Sequence, residues 1–192
     1  IGAGAQTLTG AHTYSGATTI TGGTLALTGA ASIANSSQII LGAATTLDVS
    51  AVSGGWSLGS AQTLVGGGTV AGTAAVHGTL APGTSPGTLA FGGDLLLGST
   101  AILGFELDAL DTTTGLGIND LVTISGGLTL DGTLNVSPIN SFAGVTSGTW
   151  TLLTYTGTLA DNGLAFGSLP ALDSGYSWQL DSAGGAVTLS VI

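Results

Sequence analysis

The chain has no lysine and no arginine among its 192 residues, and its ten acidic residues give a formal net charge of −10. Only 5% of the residues are charged, against about 25% in ordinary domains. Without basic side chains the protein cannot hold phosphate backbones or anionic headgroups, and its negative charge repels both. We expect no binding to nucleic acid. Biased composition in a repetitive secreted protein is one explanation for the absence of lysine and arginine, and selection for protease resistance is the alternative.

Cysteine is also absent, so neither disulfides nor thiolate metal sites contribute to the fold. Apolar residues are numerous but scattered, and no run approaches the roughly 18 apolar residues of a membrane span. We therefore expect no direct membrane insertion. Aromatic residues make up only 5% of the chain, and two of the three tryptophans lie in the last third, at Trp150 and Trp178.

Glycine is abundant, with 35 copies, and it often precedes threonine and an apolar residue. Such steps occur at Gly23-Thr24-Leu25, Gly68-Thr69-Val70, Gly78-Thr79-Leu80, Gly132-Thr133-Leu134 and Gly157-Thr158-Leu159. The segments between glycines alternate apolar and small polar residues over a few positions, which is typical of short strands. No segment has a sustained helical period, so the sequence predicts an all-β protein.

A corner rich in proline and glycine, Gly78 to Leu89, lies between two such strands. Its two prolines indicate a fixed bend. Strands with smaller side chains precede the corner, and strands with larger side chains follow it. We therefore predict two regions, with repeat coils in residues 1–90 and a β-rich stem or cap in residues 91–192, continuous with the coils.

The segment from Leu8 to Leu25 resembles the autotransporter-associated β-strand repeat, with His12 where that family usually has asparagine. The resemblance implies a right-handed parallel β-helix, or solenoid, in a secreted or surface-exposed bacterial protein. Stacked repeats of this kind bury one another's apolar faces and pair one another's backbone edges. A β-sandwich is the alternative that the short strands leave open.

A solenoid needs closure at its ends, because a terminal coil exposes apolar surface and unpaired backbone. The bulkier C-terminal region, which carries most of the tryptophan, is suited to this role. The alternative is that another copy covers the open end. For such head-to-tail self-association we predict strand ends at Leu8 and, near the C-terminus, at Val187, Leu189 and Val191.

Candidate chemistry is sparse. Glu106 and Asp108 lie two residues apart on one predicted strand, and they are the only adjacent carboxylate pair that suits a polysaccharide hydrolase. Asp108, Asp111 and Asp120, with Asn119, form an acidic loop that is a weak calcium candidate, although its spacing matches neither an EF-hand nor the glycine-rich nonapeptide calcium repeat. His12 and His77 are distant in sequence, so we expect no zinc site. We also expect no catalytic residue and no cofactor.

The sequence thus favours a non-enzymatic extracellular β-solenoid that acts as a surface scaffold or as the subunit of a self-assembling filament. An adhesin that binds a surface glycan through Tyr14 or Trp56 is the alternative. A polysaccharide hydrolase is the remote alternative.

Overall fold

The computed structural model describes residues 3–83 and 86–192, and in these residues the chain forms strands and no helix. The strands follow one another as seven coils and a final pair. Coils 1 and 2 contain β1 (Ala5–Leu8), β2 (Thr18–Ile20), β3 (Thr24–Gly29) and β4 (Gln38–Leu41). Coils 3 and 4 contain β5 (Thr46–Val52), β6 (Trp56–Leu58), β7 (Thr63–Gly66), β8 (Thr69–Ala71), β9 (Ala74–Val76) and β10 (Thr79–Pro82). Coils 5 and 6 contain β11 (Thr88–Phe91), β12 (Leu95–Leu97), β13 (Ile102–Leu107), β14 (Leu121–Ile124), β15 (Leu128–Leu130) and β16 (Thr133–Pro138). Coil 7 and the final pair contain β17 (Gly148–Tyr155), β18 (Leu159–Asp161), β19 (Ala165–Phe166), β20 (Trp178–Asp181) and β21 (Ala186–Val191).

These strands stack into three sheets that form the faces of a prism. Face 1 has the order β1-β3-β5-β8-β11-β14-β17-β21-β20, face 2 the order β19-β16-β13-β10-β7-β4-β2, and face 3 the order β18-β15-β12-β9-β6. Every strand pair between successive coils, from coil 1 to coil 7, is parallel. The prediction of an all-β parallel β-helix is therefore confirmed, and a sandwich is excluded.

The core lies inside the prism and is built from apolar residues that occupy equivalent positions in successive coils. On face 1, one inward column contains Leu25, Leu47, Val70, Phe91 and Ile124. Their outward neighbours in the strands are small or polar, as Thr24, Thr46 and Thr69 show by pairing in register on the outer surface. Alternation along each strand thus directs apolar residues inward and hydroxyl groups to solvent.

Glycine is required where coils approach most closely. Gly66 has a φ of 120°, and a Cβ atom there would collide with the backbone oxygen of Leu41 in the coil before it. Gly132 has a φ of 96°, and a Cβ atom would collide with the backbone oxygen of Ala101. Both positions therefore need glycine for its backbone conformation and for its lack of a side chain.

The coils lengthen after the fourth. Thr46 pairs with Thr69, 23 residues later, whereas Thr88 pairs with Leu121, 33 residues later. The additional residues form an outer loop, residues 108–120, between β13 and β14. The predicted corner lies just before the lengthening, but its central residues, Thr84 and Ser85, lie outside the described residues. The division into residues 1–90 and 91–192 stays a prediction, and the parallel ladders run through it.

The C-terminal end is closed by a change of strand direction and by aromatic packing. β21 pairs antiparallel with β17 on one side and with β20 on the other. Phe142, Trp150 and Trp178 form a cluster with ring centroids 5.2–6.0 Å apart. The Trp150 Nε1 donates a hydrogen bond to the Asp108 carbonyl oxygen over 2.8 Å, and the Trp178 Nε1 donates to the Pro170 oxygen over 3.0 Å. We call these three rings the aromatic cap.

Candidate functional site

The loop of residues 108–120 is the largest departure from the regular coil in the first six coils, and two buried polar residues hold its base. Asn119 and Asp120 are each 1% exposed. The Asn119 Oδ1 accepts a hydrogen bond from the Asp108 N–H over 2.7 Å. The Asn119 Nδ2 donates to the carbonyl oxygens of Asp111 and Thr113, both over 2.8 Å. Asn119 therefore joins the two ends of the loop.

Asp120 ties the same base to two neighbouring segments. Its Oδ2 accepts from the Glu106 N–H over 2.7 Å, and its Oδ1 accepts from the Gly87 N–H over 2.8 Å. The Asp120 N–H in turn donates to the Glu106 carbonyl oxygen over 3.0 Å. One buried carboxylate thus fastens the end of the corner, strand β13 and the start of β14 to one another.

The environment of Asp120 opposes its charge. Burial is the main cause that raises the pKa of this carboxyl to about 6, and the nearby Glu106 carboxylate acts in the same direction. The hydrogen bonds from the Glu106 and Gly87 N–H groups keep the pKa from rising more. Asp111 behaves in the opposite way. The hydrogen bond from Thr113 lowers the pKa of the Asp111 carboxyl, so this group stays ionised near neutral pH.

The calcium candidates Asp108, Asp111 and Asp120 direct their carboxylates to protein groups. The Asp108 Oδ1 accepts from the Leu110 N–H over 2.8 Å and from the Asn140 side chain over 2.9 Å. The Asp111 Oδ1 accepts from the Thr113 N–H over 2.8 Å. In residues 3–83 and 86–192, no group of three or more potential metal ligands is gathered. Calcium binding stays a prediction.

Glu106 and Asp108 are separated by the end of a strand. Glu106 lies in β13 with its side chain on the outer surface, beside Asp120 in a cleft of about 390 Å³, and Asp108 follows the strand. Asp120 therefore lies beside Glu106 in space, whereas the sequence pairs Glu106 with Asp108. Both Asp120 oxygens already accept backbone hydrogen bonds, so the Asp120 carboxylate has a structural role.

The two predicted glycan-contacting aromatics differ in exposure. Tyr14 is 40% exposed, whereas Trp56 is only 6% exposed. The strand β6 has the burial pattern of inward, outward and inward side chains, and Trp56 occupies an inward position. The expectation that Trp56 presents an aromatic surface to a glycan is therefore wrong. Trp56 packs in the hydrophobic core at the edge of face 3.

The two histidines lie far apart in the fold. The His12 Nε2 is buried without a hydrogen-bond partner, and its ring lies 6.2 Å from the ring of Tyr14 near the N-terminal end. His77 lies in coil 4, where its carbonyl oxygen accepts from the Thr100 hydroxyl over 2.9 Å. Neither residue belongs to a gathered ligand set among the described residues.

The predicted self-association residues lie at one end of face 1 and one strand in from its other end. Leu8 is in β1, the outermost strand at the N-terminal end. Val187, Leu189 and Val191 are in β21, where strands pair on both sides and the three side chains are buried. The structure therefore corrects the C-terminal edge, because β21 offers no free backbone and the outer strand is β20.

Residues 1–27 match the model of the passenger-associated-transport-repeat. They include coil 1 and most of β3. This part of the chain is similar to a passenger repeat. The resemblance inferred from Leu8–Leu25 is confirmed. The passenger repeat therefore corresponds in this structure to one complete coil and the first inward leucines of the next.

A curated relative extends the similarity beyond the passenger repeat. Over 94 residues, 48% of this chain, the sequence is 43% identical to the adhesin BmaC autotransporter of Brucella suis biovar 1 (strain 1330). The match covers 3% of that protein, so the chain spans a small fraction of the relative's length. No solved structure matches the chain. Among the described residues, no helix is long and apolar enough to cross a membrane.

Three structural residues were not identified from the sequence. Gln62 is 4% exposed, and its Nε2 donates to the carbonyl oxygens of Ile33 and Ser36 over 3.0 and 2.7 Å, which fastens coil 3 to coil 2. Asp120 is a calcium candidate in the sequence, and its structural role is missed there, although an Asn-Asp pair directly before an apolar strand is a usable signal for a hydrogen-bonded turn. Phe142 is the one aromatic residue in residues 137–147, and only its packing in the aromatic cap shows its structural role.

Proposed function

We propose that this chain is a segment of a bacterial adhesin that is secreted or held at the cell surface, and that it has no catalytic role. The observation that carries the proposal is the 94-residue alignment, at 43% identity, with an autotransporter adhesin. The passenger repeat at residues 1–27 supports it independently. In this function the stacked coils are a scaffold and the outer loops are the contact surface.

The structure suits a scaffold. Successive coils are joined by parallel ladders on the faces of the prism, so the backbone is paired along the length of the molecule. Of the predicted hydrolase pair, Asp108 accepts two hydrogen bonds through its carboxylate. Asp120, the acid beside Glu106 in space, accepts two from backbone N–H groups. These contacts give both carboxylates a structural role, which disfavours the remote alternative, polysaccharide hydrolysis.

The adhesive role is tested with beads to which the purified chain is attached through a flexible linker. On cultured epithelial monolayers, these beads are expected to remain after washing in at least fivefold excess over albumin-coated beads. A denatured sample of the same chain provides the matched control for nonspecific stickiness. Equal retention of native, denatured and albumin-coated beads would contradict adhesion.

A filament is the second candidate, and one feature of face 1 favours it. Because β20 is antiparallel to β21, and β21 is antiparallel to β17, strand β20 has the same direction as the coil strands. A second copy that placed its β1 beside β20 would therefore form a parallel pair like those within the chain. The charge of −10 on each copy opposes this contact unless salt screens it.

Self-association is measured by light scattering and electron microscopy between 20 mM and about 1 M salt. We expect the mean mass to rise with salt, with axial polymers at high protein concentration. Substitution of Leu180 by proline in β20 is expected to reduce the polymers, because it removes a backbone donor that faces away from β21. The two hydrogen bonds between Ser177 and Ile192 place the Leu180 N–H on this free edge. A constant monomer mass throughout the range would overturn head-to-tail pairing.

A further inference from the structure

The loop of residues 108–120 exposes two leucines on a surface that is otherwise mostly small or polar. Leu110 is 79% exposed and Leu116 is 85% exposed, the two largest exposures among the large apolar side chains in residues 3–83 and 86–192. Other exposed apolar side chains, such as Leu96 at 41%, are roughly half covered. Single exposed apolar residues need no explanation, but two on one outer loop invite one.

The backbone beneath Leu116 is held in an unfavourable conformation. Leu116 has a φ of 57°, and its neighbours Gly115 and Gly117 have φ values of 63° and 74°. Glycine adopts this left-handed region at no cost, whereas leucine is strained there. The chain therefore bears two penalties at one position, since the side chain is both strained and exposed to water. Strain of this kind is commonly found at functional positions.

The loop is nevertheless well fixed. Asn119 joins its two ends through three hydrogen bonds, and Asp108 and Asp111 each close a turn by accepting from the backbone two residues later. The Ile118 N–H also donates to the Gly115 carbonyl oxygen over 3.0 Å. A fixed loop loses little conformational entropy when a partner binds, which favours affinity.

The charges around the leucines identify the chemistry of the partner. Asp108 and Asp111 belong to the loop, Glu106 lies at its base, and the chain has no lysine or arginine to neutralise them. A partner surface that is apolar and basic would complement both features, whereas a second copy of this chain would bring more negative charge. Anionic membranes are disfavoured for the same reason.

We propose that the loop of residues 108–120 is a docking element that inserts Leu110 and Leu116 into an apolar recess, rimmed by lysine or arginine, on a partner protein. The proposal rests on the adhesive function proposed above, and it names the surface and the partner chemistry through which adhesion occurs. Complementary charge guides the encounter, and burial of the two leucines provides the affinity.

The test uses a synthetic peptide of alternating leucine and lysine as the probe, with binding to the whole chain measured by fluorescence anisotropy. Leu110→Ser and Leu116→Ser are each expected to weaken binding about tenfold, and Leu96→Ser serves as the matched control and is expected to have no effect. Asp111→Asn keeps an oxygen for the Thr113 N–H, so it is expected to weaken binding and reduce its dependence on salt without opening the turn.

A second variant separates binding from folding. Asparagine tolerates the left-handed conformation better than leucine does, so Leu116→Asn is expected to retain or raise thermal stability while it weakens binding. Equal affinity for a lysine–serine peptide would show simple charge attraction and would overturn the proposal. Binding to phosphatidylcholine vesicles in place of the peptide would overturn it too, in favour of a membrane contact.

The bead assay distinguishes this proposal from the proposed function. Wild-type beads that adhere, with Leu116→Asn beads that adhere equally well, would refute the docking loop and leave adhesion standing. Wild-type beads that fail to adhere would refute adhesion, while the peptide measurement would still decide whether the loop binds a basic apolar surface.

Discussion

Replacing Trp150 by alanine is expected to lower the free energy of unfolding by about 3–5 kcal/mol, the range for removing a large buried aromatic side chain. Trp150 is 1% exposed and contacts Phe142 and Trp178 in the aromatic cap. Its Nε1 also donates to the Asp108 carbonyl oxygen at the start of the outer loop. The substitution thus leaves a cavity at the C-terminal end and an unsatisfied carbonyl group.

Chemical denaturation followed by far-UV circular dichroism measures the effect. Trp150→Phe is expected to lose less, about 1–2 kcal/mol, because the ring packing is largely kept while the hydrogen bond is lost. Tyr176→Ala removes an aromatic side chain that is 38% exposed, and we expect it to change stability by less than about 1 kcal/mol. If Trp150→Ala and Tyr176→Ala were equally mild, the aromatic cap would not stabilise the chain.

Replacing Asp120 by alanine is expected to cost about 2–4 kcal/mol at neutral pH. The change removes the acceptor for two backbone N–H groups, those of Gly87 and Glu106. An unsatisfied buried donor costs about 1–3 kcal/mol. The loss of a buried charge offsets part of this cost, so the net effect is smaller than that of two orphaned donors in an uncharged site. Thermal and urea unfolding measure the difference.

The pH dependence of the wild-type chain provides a separate measurement of Asp120. The pKa of this carboxyl is raised to about 6 in the folded chain, from 3.8, so the folded state binds the proton more tightly than the unfolded state does. The contribution of Asp120 to stability is therefore fully present below about pH 4 and is lost as the pH rises through about 6, by at most about 3 kcal/mol.

The control for this pH effect is a pair of neutral isosteres. Asp120→Asn is expected to abolish the component of the pH dependence between about 4 and 6, whereas Asp181→Asn, which alters an exposed carboxyl, is expected to leave it in place. An unchanged pH profile in Asp120→Asn would show that another group titrates. A stability that rises with pH between 4 and 6 through Asp120 would contradict the upward shift of its pKa.

The coil pattern was predictable because it is local. Alternation in segments such as Thr24-Leu25-Ala26-Leu27 requires only that one side of a strand be buried, and β3 has that burial pattern. The resemblance of Leu8–Leu25 to a known repeat then specified that such strands stack in parallel. The first inward columns could therefore be deduced from the residues alone.

The arrangement of the outer loop and of the C-terminal end could not be deduced in the same way. Asp108 and Asp120 are the same residue type in one polar segment, yet Asp120 is buried because strand β14 starts directly after it and stacks on β11. Val187, Leu189 and Val191 alternate like any edge strand. Only the return of β20 alongside β21 shows that their strand is enclosed.

Extensive contacts between strands occur only between ladder neighbours and a few successive strands. Each coil is therefore stabilised mainly by the coils beside it. Cooperativity in such a molecule decays along its axis, and loss of structure can begin at one end and progress by steps. The tryptophans are distributed so as to report this, with Trp56 in coil 3 and Trp150 and Trp178 at the far end. Fluorescence from Trp56 and from the two C-terminal tryptophans would then give different melting curves. The difference between the two melting temperatures would measure how far along the axis the chain unfolds as one unit.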